Sequence, residues 1–95
     1  MKVAVFSTKP YDKKYFEQFN ESFHHELAFF DTNLNELTTD LTRNFDAVCP
    51  FVNDKLDEQV LELLANNGVK LIALRSAGFN NVDLKAAEAN NMKVT

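Results

Sequence analysis

The segment Leu71-Ile72-Ala73-Leu74-Arg75-Ser76-Ala77-Gly78-Phe79-Asn80-Asn81-Val82-Asp83 runs an apolar strand into a glycine-bearing turn and then into a helix start. This is the arrangement from which α/β proteins build small anion sites. Gly78 is one of only two glycines in the chain. Average usage of about 7% predicts roughly six or seven, so a glycine kept here answers a backbone need, and that need is positive φ. In such a turn the N–H groups of Ala77 and Gly78 converge on one point just ahead of a helix N-terminus, giving a cradle of carboxylate or phosphate size. Arg75 is a secondary candidate. Its planar guanidinium suits an anion, although a surface ion pair is the commoner role for an arginine after a strand. Phe51 follows the strand-ending Pro50. It is a wall for an apolar substrate group if it faces the ligand edge and a core residue if it folds back, and the residue types leave both open.

Other chemistry is poorly supplied. His24 and His25 are adjacent, so their side chains diverge and cannot share a tetrahedral ion without distant help. A favourable dipole interaction at the end of the first helix is the expected role, and no metal site is predicted. Cys49 is the single cysteine and lies in an apolar strand. It has no disulfide partner and reads as a small buried hydrophobe. A receiver-type magnesium site needs acidic residues after the first and third strands, where this chain has Ser7-Thr8 and Cys49-Pro50. Neither a Walker loop nor a GxGxxG turn occurs, so no nucleotide site is expected within these residues.

The elements that must position these candidates follow from hydrophobic spacing. Val3-Ala4-Val5-Phe6 is an apolar β-type run ending in Ser7-Thr8-Lys9-Pro10. Tyr15, Phe16, Phe19 and Phe23 share one stripe of a helix, with Asp12 as its N-cap. Leu27-Ala28-Phe29-Phe30 is a second strand, and residues 33–44 form a threonine-rich helix or turn set. Ala47-Val48-Cys49 is a third strand stopped by Pro50, because proline cannot donate to a ladder. Asp54, paired with Asp57, caps a helix whose buried face is Leu56, Val60, Leu63 and Leu64, and Asn66-Asn67-Gly68 ends it. Residues 69–74 make a fourth strand, residues 83–90 a further helix, and Met92-Lys93-Val94 a fifth strand.

Strands alternating with helices predict an α/β fold, a flavodoxin-like doubly wound parallel sheet of order 2-1-3-4-5. Its ligand edge lies at the carboxyl ends of the first and third strands, where residues 7–11, 50–53 and 75–80 meet. Ninety-five residues, 45% hydrophobic and 25% charged, suit one domain. A formal net charge of −4 with scattered basic residues argues against non-specific nucleic-acid binding, and no nucleic-acid partner is expected. No apolar run reaches the roughly 18 residues of a membrane span, the start turns polar too early for a signal peptide, and a cytoplasmic location is expected.

Three segments carry a resemblance: Val3-Ala4-Val5-Phe6-Ser7-Thr8-Lys9-Pro10-Tyr11-Asp12-Lys13-Lys14, Phe51-Val52-Asn53-Asp54, and above all Leu74-Arg75-Ser76-Ala77-Gly78-Phe79-Asn80-Asn81-Val82-Asp83. The chain resembles the N-terminal part of the bacterial fermentative D-lactate dehydrogenases, within the D-isomer-specific 2-hydroxyacid dehydrogenase family. The resemblance implies an NAD-dependent oxidoreductase that reduces pyruvate to D-lactate, acts on small 2-oxo and 2-hydroxy acids, and is a homo-oligomer at full length. It implies that residues 1–95 are a single unit, the first portion of the substrate domain, with the Rossmann cofactor domain and the catalytic arginine, histidine and glutamate outside this chain. Chain 1–95 alone is then inactive and binds no NAD. By the same resemblance, Ala77 and Gly78 hold the substrate carboxylate and Phe51 lines the pocket for the substrate methyl. A stand-alone flavodoxin-like binding or regulatory module is the alternative, using the same cradle without catalysis.

Overall fold

Parallel pairing organises the chain. The computed structural model describes residues 1–21, 25–51, 54–74 and 82–95, with the side chains of Tyr11, Asp12, Tyr15 and Phe19 outside the description. Five strands, β1 (Lys2–Val5), β2 (Glu26–Phe29), β3 (Ala47–Cys49), β4 (Leu71–Ile72) and β5 (Lys93–Val94), form one sheet of order β2-β1-β3-β4-β5. Every pairing is parallel. This is the expected doubly wound order, with its reversal between β1 and β3.

The two faces of the sheet are unequal. Ala4, Val48 and Ile72 stand in register and point into the main core, against Val60 and Leu64 of α2 (Glu58–Asn66) and Ala86 and Ala87 of α3 (Leu84–Ala89). Of the three small residues of α3, Ala86 and Ala87 are buried in this packing, while Ala89 is exposed. The register partners Val5, Cys49 and Phe29 point to the opposite face, where Phe16 of α1 (Pro10–Asn20) packs on Phe29 with ring centroids 6.3 Å apart. An apolar groove of about 300 Å³ lies beside α1, floored by Val3, Val5, Leu27, Cys49 and Ala73. Cys49 is buried there, as expected of a small hydrophobe.

Several boundaries move, each for a local reason. Helix α1 begins at Pro10, and Lys9 supplies the first carbonyl, accepting from the Lys13 N–H at 3.3 Å. Asp12 is therefore inside the helix rather than its N-cap, because proline's fixed φ and missing N–H suit it to the first helical position. The helix ends at Asn20. His25 thus lies beyond the last turn, where the dipole no longer acts, and its main-chain N–H and C=O are instead held by the Asn20 side chain. Of the expected stripe, Phe16 packs as described, and Phe23, like His24, lies outside the described residues. Residues 33–44 resolve into turns and a 3-10 turn, Thr39–Thr42. Strand β2 starts one residue earlier than its pattern suggests.

Helix α2 corrects the assignment of its cap. Asp57, not Asp54, is the N-cap, accepting from the Val60 N–H at 3.0 Å. Leu56 precedes the helix and bridges to Val82, and Leu61 joins Val60 and Leu64 in the buried face in place of Leu63. The exit is a Schellman turn: Gly68 at φ +100 donates to the Ala65 carbonyl, and the Val69 N–H donates to that of Leu64, both at 3.1 Å. Helix α3 repeats the device with Asn91 at φ 58, its N–H on Glu88 and that of Met92 on Ala87. These turns consume residues 69 and 92, so β4 and β5 start later than their apolar runs; β4 also ends early, at Ile72.

The Asp57 cap also makes stability depend on pH. The Val60 N–H holds the Asp57 carboxyl below its ordinary 3.8 against the opposing effect of desolvation, with a lesser contribution from Lys55, whose Nζ is 3.3 Å away. A depressed folded-state pKa contributes stability that is complete above the unfolded value and is lost as pH falls through the folded one. Asp57→Ala is expected to destabilise the protein by about 1 kcal/mol at neutral pH. In urea unfolding, the gap from wild type should close as the pH is taken well below 3.8.

Candidate functional site

At the carboxyl edge of the sheet, strand β1 runs on through Phe6 into Ser7, which takes up φ 56. That conformation costs a side-chain-bearing residue about 1–2 kcal/mol, and it turns the hydroxyl inward. Ser7 Oγ donates to Asp54 Oδ1 at 2.6 Å and lies 2.9 Å from Asn33 Oδ1, so two acceptors compete for one proton. The same Asp54 Oδ1 accepts from the Leu34 N–H at 2.8 Å, while Oδ2 accepts from the Phe51 N–H at 2.7 Å. Asp54 is only 2% exposed. A buried carboxylate is acceptor-only and needs several donors, and here they come from the loop after β1, the loop after β2 and the loop after β3.

Below this junction the apolar floor is aromatic. Phe6 stacks on Phe30 with centroids 5.1 Å apart, and Phe30 meets Phe45 edge-on at 6.3 Å. Thr8 doubles the tie to β2, giving both its N–H, at 3.1 Å, and its hydroxyl, at 3.0 Å, to the Phe30 carbonyl. The edge loops therefore rest on packed rings and are tied to one another by short bonds.

Phe51 stands at this edge with 40% of its surface exposed. It does not fold back into the main core. Its backbone is tied reciprocally to Asp54, the Asp54 N–H donating to the Phe51 carbonyl at 3.0 Å while the Phe51 N–H donates to the Asp54 carboxylate. Strand β4 delivers the chain to the same edge at Leu74, whose N–H reaches the Thr95 carbonyl at 3.0 Å. The chain is described again at Val82, which bridges to Leu56, and the Asp83 N–H donates to the Leu56 carbonyl at 2.9 Å. Arg75, Ala77 and Gly78 lie between these anchors, outside the described residues. Among the described residues no cluster of three or more histidine, cysteine or acidic side chains could hold a metal ion.

The whole of this framework matches known proteins. Residues 3–95 match the family model described as D-isomer specific 2-hydroxyacid dehydrogenase, catalytic domain. The chain belongs to this family. It is 58% identical over 94 residues to the D-lactate dehydrogenase of Escherichia coli, a match covering 99% of this chain and 29% of that protein. The apo-structure of D-lactate dehydrogenase from Escherichia coli superimposes with a TM-score of 0.97 at 58% identity, covering 99% of this chain and 30% of that one. The D-lactate dehydrogenase of Lactobacillus jensenii, solved with NAD+, superimposes with a TM-score of 0.86 at 33% identity, over 100% of this chain and 29% of that one. The chain thus spans less than a third of the length of these relatives.

In this 2-hydroxyacid dehydrogenase chain, sequence reasoning placed Phe51 at the edge but missed Asp54, which the capping pattern had absorbed. Two acids three residues apart can both serve one helix start as a capping box, so no local signal separated Asp54 from Asp57. Asp54→Leu, which fills the space without accepting bonds, leaves the buried Leu34 N–H and the partly buried Phe51 N–H without their acceptor. It is expected to cost about 2–4 kcal/mol, read as a lowered urea midpoint with an unchanged slope.

Proposed function

We propose that the protein carrying this chain is an NAD-dependent D-lactate dehydrogenase that reduces pyruvate, and that residues 1–95 form part of its substrate domain. The observation that carries this reading is the match to the catalytic-domain family along residues 3–95, together with a partly exposed Phe51 held at the carboxyl edge where such sheets bind ligands. In this reading the Ala77 and Gly78 N–H groups receive the substrate carboxylate, Arg75 is a secondary source of positive potential, and Phe51 bounds the space for the substrate methyl. A cytoplasmic homo-oligomer goes with it, and no helix among the described residues is long and apolar enough to cross a membrane.

The residues of this chain do not fit a dinucleotide. The chain has no GxGxxG turn, and Gly68 is used to end α2. The groups that hold NAD and move the proton are assigned to the rest of the protein, and residues 1–95 by themselves are taken to be inactive.

Two substitutions in the full-length protein test the site. Gly78→Val disfavours positive φ and misaims both donors, and charge-assisted bonds of about 1.5 to 3 kcal/mol each are at stake. kcat/KM for pyruvate is expected to fall steeply with NADH binding little changed, and an unaltered kcat/KM would remove the carboxylate cradle. Phe51→Ala opens the wall and is expected to shift preference from pyruvate toward 2-oxobutyrate by about one or two orders of magnitude. A wild-type ratio of the two kcat/KM values would return Phe51 to a purely structural role.

A further inference from the structure

We propose that Asp54 is a positioning residue for substrate side-chain selection, acting through the backbone of Phe51; this rests on the reading of Phe51 as the pocket wall. Phe51 is 40% exposed at the edge, and its main chain is fixed by hydrogen bonds. Asp54 holds that main chain twice: the Asp54 N–H reaches the Phe51 carbonyl at 3.0 Å, and Asp54 Oδ2 takes the Phe51 N–H at 2.7 Å. The other carboxylate oxygen is fixed by the Leu34 N–H at 2.8 Å and the Ser7 hydroxyl at 2.6 Å. Phe51 is thereby tied to an anchor that is itself bonded to the loops after β1 and β2. Ser7 supports the assignment independently. Its φ of 56 is a strained conformation for serine, of the kind retained where a site needs a group aimed, and the group it aims is the hydroxyl that meets Asp54.

The test compares wild type, D54N, S7A, F51A and the D54N/F51A pair in the full-length protein. It reads kcat/KM for pyruvate and for 2-oxobutyrate, KM for NADH, and amide hydrogen exchange at Phe51 and Leu34. An asparagine presents one acceptor oxygen where the carboxylate presents two. D54N is therefore expected to raise exchange at Phe51 and to lower the pyruvate preference by roughly tenfold, with KM for NADH unmoved. The pair is expected to show a preference no lower than F51A alone, because one residue acts through the other. S7A, which removes a single bond, is expected to move the ratio the same way by roughly two- to fivefold, and it decides the matter if D54N does not fold. An unchanged ratio in D54N or S7A while F51A shifts it, or full additivity in the pair, overturns the Asp54 role alone. An unchanged ratio in F51A overturns the pocket-wall reading and the selectivity role with it.

Discussion

The carboxylate of Asp54 is the constraint around which the ligand edge is built. An ionised carboxyl group withdrawn from water is costly unless its oxygens are met by donors. Here the donors come from three places far apart in sequence, Ser7, Leu34 and Phe51. Satisfying one side chain therefore fixes the relative positions of the loops after β1, β2 and β3. The positive φ of Ser7 is intelligible in the same terms: the strain of one residue is smaller than the cost of an unmet buried acceptor.

Helix termini carry the next level of organisation. Because Asp57 caps α2, Asp54 is released from helix initiation and is available to the edge. At the far ends of α2 and α3, Gly68 and Asn91 take left-handed conformations that turn the chain directly into the approach to the next strand. The buried Val69 and Met92 follow at once, so each turn closes with an apolar contact as well as two hydrogen bonds. The turns also bring β4 into register beside β3 and β5 beside β4, which delivers Leu74 to the carboxyl edge.

The faces of the sheet are built to different degrees. One is filled by α2, α3 and the rings of Phe6, Phe30 and Phe45. On the other, among the described residues, α1 is the covering helix, and the apolar floor of Val3, Val5, Leu27, Cys49 and Ala73 opens into the groove beside it. The apolar residues on both sides of β1 and β3 follow from their central place in a parallel sheet, where neither face is meant for water.

The sequence alone determined the class of fold, the strand order and the identity of most elements, because hydrophobic periodicity is local and parallel connections leave few topologies. Pro50 after β3 and Asn66-Asn67-Gly68 after α2 were legible from residue type and neighbours, whereas residue type left Phe51 open between edge and core. The resemblance carried by residues 74–83 pointed to the family that the match over residues 3–95 establishes. What local pattern could not separate was two aspartates of equal capping potential. Asp54 and Asp57 differ only in which donors the folded chain places near them, and two of the donors to Asp54 are 47 and 20 residues away in sequence. The role of Ser7, the start of α1 at Pro10, and the exposure of Phe51 were likewise decided by tertiary structure, since each depends on where distant backbone groups lie once the sheet has formed.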